Sequence, residues 1–280
     1  MATMSFFTTD GAGRFDPTDY ALSLWGPDAL NGPAVCAVAA YAAENAGVPD
    51  GFAPARFTLE LFKSARKLPT TTETKTIRDG HRIRVVEVSV NQFDGAESAT
   101  VARGNVVFLK QGDNPPGARW QRPAQEQTFT PPSSVGEGYR PWFRTESQDW
   151  TTDMGSMQNA DRLSLYTRPF NVVDGQTPTA FQRAVIAAES TSLVTNIGDG
   201  GIGFINCDLT VALTRLPAGD RLGVEADSHL ESAGLSVGTA NLYDEHGQFG
   251  VGLVTAVDNT RAMIDFSKMK PHSFRAPELS

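Results

Sequence analysis

Cysteine is scarce: Cys36 and Cys207 are the only two among 280 residues. They show no Cys-x-x-Cys or Cys/His spacing, which excludes a disulfide framework, and two small buried thiols in a reducing cytoplasm is the reading. Histidine is nearly as rare. His81, His229, His246 and His272 are scattered, no pair has metal spacing, and no metal is expected. Excess basic charge is missing too. With 24 Lys and Arg against 32 Asp and Glu, the net charge of −8 argues against a general nucleic-acid or anionic-membrane binder. No apolar run is long enough to span a bilayer, and "MATMSFFTTDG" at the start has neither the basic opening nor the apolar core of a signal peptide. A cytoplasmic protein is expected.

What is present is ordinary globular material: 40% apolar, 9% aromatic and 20% charged residues, in a chain long enough for one large domain or two of usual size. Two stretches share one design. "NGPAVCAVAAYAAEN" (31–45) opens with Asn31-Gly32 as a cap and Pro33 in the first turn, and predicts a helix. "TPTAFQRAVIAAESTSLV" (177–194) opens with Thr177 and Pro178 in the same way. After each come alternating, β-branched segments that predict antiparallel strands. They are "ARFTLELF", "TTETKTI", "RIRVVEVSV" and "ATVARGNVVFL" in the first half, then "GFINCDLTVAL", "RLGVEADSHL", "GLSVGTANLY" and "FGVGLVTAV" in the second. Asp79-Gly80, Asp94-Gly95 and His246-Gly247 supply tight turns.

A capped helix followed by about four strands therefore occurs twice. The stretch 110–141, rich in Pro, Gly and Gln, reads as a linker lying on the surface. The expected organisation is 1–115 as the first unit, 116–150 as the connection, 151–266 as the second unit and 267–280 as a tail without periodicity. One long helix wrapped by an antiparallel sheet, repeated in tandem, is an α+β design, the double hotdog.

One residue sits awkwardly in that design. On the second helix Phe181, Val185 and Ala188 share an apolar stripe, and Glu189 lies four residues after Val185, beside the face a helix buries. Burial raises a carboxylate's pKa, so Glu189 needs a polar neighbour or a chemical role.

The segments "FQRAVIAAESTS", "FINCDLTVALTRLPAGDRLGVEA" and "ANLYDEHGQFGVGLVTAV" resemble the C-terminal half of double-hotdog acyl-CoA thioesterases of the thioesterase-II-like family. "LNGPAV", "TIRDGHRIRVVEVSV" and "TVARGNVVFL" resemble its N-terminal half, so the likeness covers about 10–115 and 160–258. The resemblance implies hydrolysis of acyl-CoA to free fatty acid and coenzyme A, with coenzyme A part of the substrate and no separate cofactor. It places the family's helix carboxylate on Glu189, as Glu in place of Asp. The polar residue of the next strand falls on Asn206. The family's glutamine on the last strand falls on Val254, an apolar departure beside Thr255, which is then a candidate to cover part of its task. The first half offers only residues 38–40 at the place of Glu189, so one site per chain is implied. Backbone N–H groups at Asn31-Gly32 are the candidate polarisers of the thioester carbonyl. Glu189 would act as general base or attack directly. A homodimer or larger assembly is expected because hotdog units hide a sheet edge by pairing.

Three other patterns weigh less. "GLSVG" (234–238) matches a nucleophile elbow, but it lies inside an alternating strand rather than at a strand-to-helix turn. "GDGGIG" (198–203) lacks the Lys-Ser/Thr of a phosphate loop and precedes a strand. Lys63, Arg66 and Lys67 read better as a solvated strand end than as a coenzyme A phosphate site. A catalytically weak or inactive acyl-CoA or lipid-binding relative is the competing reading, since Glu for Asp shifts the carboxylate and Val254 removes an amide.

Overall fold

The computed structural model describes residues 4–95, 97–123 and 127–268. The first half runs β1 (Ser5–Thr9), β2 (Arg14–Pro17), α1 (Gly32–Asn45), β3 (Phe52–Leu61), β4 (Thr70–Asp79), β5 (Ile83–Phe93) and β6 (Ser98–Lys110). The second runs β7 (Trp142–Arg144), β8 (Ser164–Thr167), β9 (Asn171–Val173), α2 (Ala180–Glu189), α3 (Thr191–Asn196) and the short pair β10 (Ile197–Gly198) and β11 (Gly201–Ile202). It continues with β12 (Phe204–Asn206), β13 (Asp208–Leu213), β14 (Leu222–Ser232), β15 (Leu235–Asp244) and β16 (Gly247–Asp258).

The repeat is explicit in the strand order. The first half reads β3-β6-β5-β4-β2 and the second β13-β16-β15-β14-β8, the same sequence of roles. Antiparallel pairing of β3 with β13, Val211 opposite Phe57, fuses the halves into one 14-stranded sheet. The facing edges of the two halves, β3 and β13, are thus covered within the chain. The outermost strands, β7 and β9, are three residues each, which leaves little edge to extend. The sequence reading missed β1, β2 and the parallel pairing of β1 with β9, by which the N-terminus crosses to the second half.

One face of the sheet holds the helices, α1 on β4–β6 and α2 and α3 on the strands of the second half. Ala34–Ala40 of α1 are buried without a break, so this Ala-rich helix is enclosed on all sides rather than amphipathic. Asn31 caps it, accepting from the Ala34 N–H at 2.8 Å, with Pro33 in the first turn as expected. The second helix starts later than Thr177. Thr179 is the cap, in a reciprocal box with Gln182: the Thr179 hydroxyl accepts from the Gln182 N–H at 3.1 Å, and the Gln182 side-chain oxygen accepts from the Thr179 N–H at 3.2 Å. Two bonds outweigh the preference that Pro178 suggested for its own position. The helix also breaks after Glu189, where Ser190 separates α2 from α3. Glycines on the sheet admit α3: a Cβ on Gly252 would lie 2.1 Å from Thr191 Oγ1, and one on Gly238 2.1 Å from Thr195 Oγ1.

In the connection between the halves, residues 111–123 are exposed, and Phe129 is an anchor. Phe129 stacks on Tyr243, centroids 5.3 Å apart, and fills the space over Gly223, where a Cβ would lie 2.6 Å from its ring. Of the predicted tail only Ser267 and Lys268 lie within the described residues.

Candidate active site

The two helices run antiparallel, and each ends with a carboxylate over the other's beginning. At one junction Glu44 of α1 accepts hydrogen bonds from Thr179 Oγ1 at 2.7 Å and Gln182 Nε2 at 2.8 Å. At the other, Glu189 ends α2 against Gly32, the first residue of α1. A methyl group on Gly32 would sit 1.8 Å from Glu189 Oε1, so only glycine admits the carboxylate there. Cap aligned with cap, the first-half counterpart of Glu189 is Tyr41 rather than residues 38–40, and it carries no carboxylate.

Glu189 is buried, and desolvation pushes its pKa up to about 8. Its one hydrogen-bond partner among the described residues is Asn206, whose Nδ2 donates to Oε1 at 3.4 Å and holds the pKa below what burial alone would give. Neither arginine near in sequence neutralises it: Arg183 donates to the Pro178 carbonyl, and Arg215 binds Asp244. Cys36, one turn into α1, is fully buried and its thiol is pushed well up by desolvation and by the Glu189 charge. A protonatable carboxyl with one amide partner, set at a helix N-terminus, is suited to taking a proton from water.

Asn206 reaches Glu189 because the sheet is irregular there. Along β13 the buried residues are Leu209, Val211 and Leu213, so regular alternation would turn Cys207 inward and Asn206 outward. Instead Asn206 pairs with Ala256 of β16, while the next ladder pairs Thr210 with Leu253, and Cys207 is one residue too many. That bulge turns Asn206 to the helix side.

The other predicted site residues divide. Gly32 lies at the site. Asn31 does not have a free donor: its N–H bonds the Ala21 carbonyl at 2.7 Å, and its Nδ2 donates to the Tyr20 and Leu22 carbonyls. Its side chain serves as the helix cap. Val254 is on the helix side of β16, fully buried in the core. Thr255 alternates to the opposite face, and its N–H and hydroxyl both donate to Asp208, at 2.7 and 2.8 Å. It therefore does not join Glu189, because the strand pleat points it away. Asp208 itself was missed: on the sequence it is one acidic residue in an alternating strand.

The lesser patterns resolve as turns and strands. Leu235–Gly238 of "GLSVG" lies in β15, and "GDGGIG" spans the β10–β11 hairpin. Lys63, Arg66 and Lys67 line a cleft of about 470 Å³ that Asp28, Asp94 and Glu97 line as well, and Lys67 pairs with Asp19 at 2.7 Å.

Fold and site together describe a double hotdog in which one of two inter-helix carboxylates, Glu189, is buried against a helix start with a single amide contact. Comparison with known families agrees. Residues 22–109 match the acyl-CoA thioesterase N-terminal domain and residues 111–254 the acyl-CoA thioesterase C-terminal domain. The chain belongs to the acyl-CoA thioesterase family and is a thioester hydrolase. Among solved structures it is similar to the tesB protein MAP1729c of Mycobacterium avium subs paratuberculosis, at 15% identity and TM-score 0.61, over 90% of this chain and 95% of that one. The acyl-CoA thioesterase II TesB2 of Mycobacterium marinum aligns at 11% identity and TM-score 0.61, over 95% and 97%. A hot dog fold protein of unknown function from Alicyclobacillus acidocaldarius gives 14% identity and TM-score 0.63, over 90% and 95%. No match was found among curated proteins. Among the described residues no helix is long and apolar enough to cross a membrane.

Proposed function

We propose that this protein hydrolyses acyl-CoA to a free fatty acid and coenzyme A, with Glu189 as general base for the attacking water. The observation that carries this reading is the buried Glu189 carboxyl, held by Asn206 at 3.4 Å against the start of α1. Glu189 takes the water's proton as the oxygen attacks the thioester carbonyl, and the C–S bond then breaks. The proton on Glu189 passes to the departing thiolate, which restores the carboxylate. The Gly32 N–H, in the first turn of a helix where no intrahelical carbonyl can receive it, is the donor for the developing oxyanion. The amide that relatives carry at Val254 is missing, so water is held by Asn206 and Glu189 alone. A reducing cytoplasm suits both the substrate and the two unpaired cysteines.

The test is Glu189→Gln, assayed by thiol release across a panel of acyl-CoA chain lengths. Turnover should fall by about 10²–10⁴-fold while the fold is kept. For the wild type, kcat/KM should rise with pH toward the Glu189 value of about 8 and level above it, because the ionised form is the base. Undiminished turnover in Glu189→Gln would remove the carboxylate from the chemistry.

A further inference from the structure

We propose that Asp208 is a positioning residue: by clamping the backbone of β16 it holds the bulge that turns Asn206 toward Glu189. The inference rests on the hydrolytic reading above. The bulge is fixed from both sides of its strand. Toward β3, the Leu61 N–H donates to the Cys207 carbonyl at 2.8 Å. Toward β16, the Cys207 N–H donates to the Thr255 carbonyl at 2.8 Å, while the Asp208 carboxylate receives both the Thr255 N–H and the Thr255 hydroxyl. The Thr255 N–H thus goes to a side chain, and Asp208 supplies the acceptor there. The Asp208 carbonyl also accepts from Asn206 Nδ2 at 3.4 Å, so the amide that serves Glu189 is shared with the clamp residue's own backbone. Without the carboxylate, the Thr255 N–H has no acceptor, and the regular register, with Cys207 opposite Ala256, regains it. A one-residue slip turns Asn206 to the outer face.

Asp208 and Thr255 lie on the opposite face of the sheet from Glu189, so neither touches substrate. Any effect on turnover must pass through Asn206, and a double-mutant cycle measures that dependence. Asp208→Ala should lower kcat to about the level of Asn206→Ala, a loss of about 10²-fold if misaim resembles other ångström-scale displacements, with KM little changed. In the Asn206→Ala background, Asp208→Ala should lower kcat no further. Asp208→Asn keeps an acceptor for the Thr255 N–H and should recover most of the activity. Full additivity of the two alanine substitutions would overturn the proposal. If Asp208→Ala does not fold, Thr255→Val, which removes only the hydroxyl bond, takes its place in the same cycle.

A second readout needs no activity. Losing the Asn206 bond removes the contact that lowers the Glu189 pKa, so NMR titration of the Glu189 carboxyl should show it rising in Asn206→Ala and in Asp208→Ala alike. Cys36 is the other titratable group coupled to Glu189 and is unchanged in both variants. A rise in Asn206→Ala alone would overturn the clamp even if the protein hydrolysed no thioester tested. Absence of hydrolysis with matching titration shifts would instead fault the functional reading and leave the clamp standing.

Discussion

Burial of Glu189 costs stability, and pH exposes the cost. Its pKa is about 8 in the folded chain against 4.5 for an ordinary glutamate, so between those values the folded state holds a proton that the unfolded state releases. The sign follows from linkage: this group's contribution to stability falls as pH rises from 4.5 toward 8, and levels off beyond. The slope approaches about 1.4 kcal/mol per pH unit inside that window. Glu189→Gln carries no such titration and still accepts from Asn206. It should therefore be more stable than the wild type near the top of the window, by on the order of a few kcal/mol, and close to it near the bottom. Thermal denaturation of both proteins at about pH 5 and about pH 8 checks this. Equal differences at the two pH values would mean that Glu189 is not desolvated as described. Nothing local in the sequence specified this environment beyond the position of a carboxylate next to an apolar stripe, because the opposing surface comes from residues 31–36, in the other half.

At the scale of elements, the helix junction is the feature that makes a site. Two antiparallel helices meet end to start, and the sequence difference between the junctions decides what each does. Glu44 is held by two donors from the capping box of α2, which makes it a bridge between helices. Glu189 has one long contact and faces a glycine. Gly32→Ala should therefore act on Glu189 rather than on the helix, since alanine is itself the better helix former. The added methyl would occupy the place of Oε1 and displace the carboxylate from both Asn206 and the α1 N-terminus. Turnover should drop by about 10²-fold or more while α1 still forms, readable from kcat together with far-UV circular dichroism. A Gly32→Ala variant with full activity would show that the carboxylate works from another position. Periodicity and caps made the helices and the long strands legible. Thr177 and Pro178 misled by two residues because a capping box depends on a reciprocal side-chain bond. The bulge at Cys207 was not legible at all, since a register shift of one residue is set by the neighbouring strands β3 and β16.

The whole molecule is two repeats that cannot be separated without opening the site. Glu189 and Asn206 belong to the second half, Gly32 to the first, and the β3–β13 ladder keeps them in register. The repeat itself was readable from the sequence as helix then strands, twice. The seam was not, because strands of either half look alike until they are paired. Neither was the crossing of the N-terminus, where β1 adds to β9 through a short parallel pairing. These contacts make the covalent connection between the halves dispensable once the chain has folded. Residues 111–120 are exposed throughout, while Phe129 anchors the later part of the connection on Tyr166 and Tyr243. A specific protease site placed between Asp113 and Gly117 should thus cut the folded protein without releasing either part. Backbone pairing across five register positions of the seam, together with the helix junctions, should keep the fragments associated. On size exclusion they should elute as one species, with kcat for acyl-CoA within about twofold of the intact chain, because the cut touches none of the elements that hold Glu189, Asn206 or Gly32. Fragments that separate, or that stay together but lose turnover, would mean that the connection rather than the seam aligns the two helices.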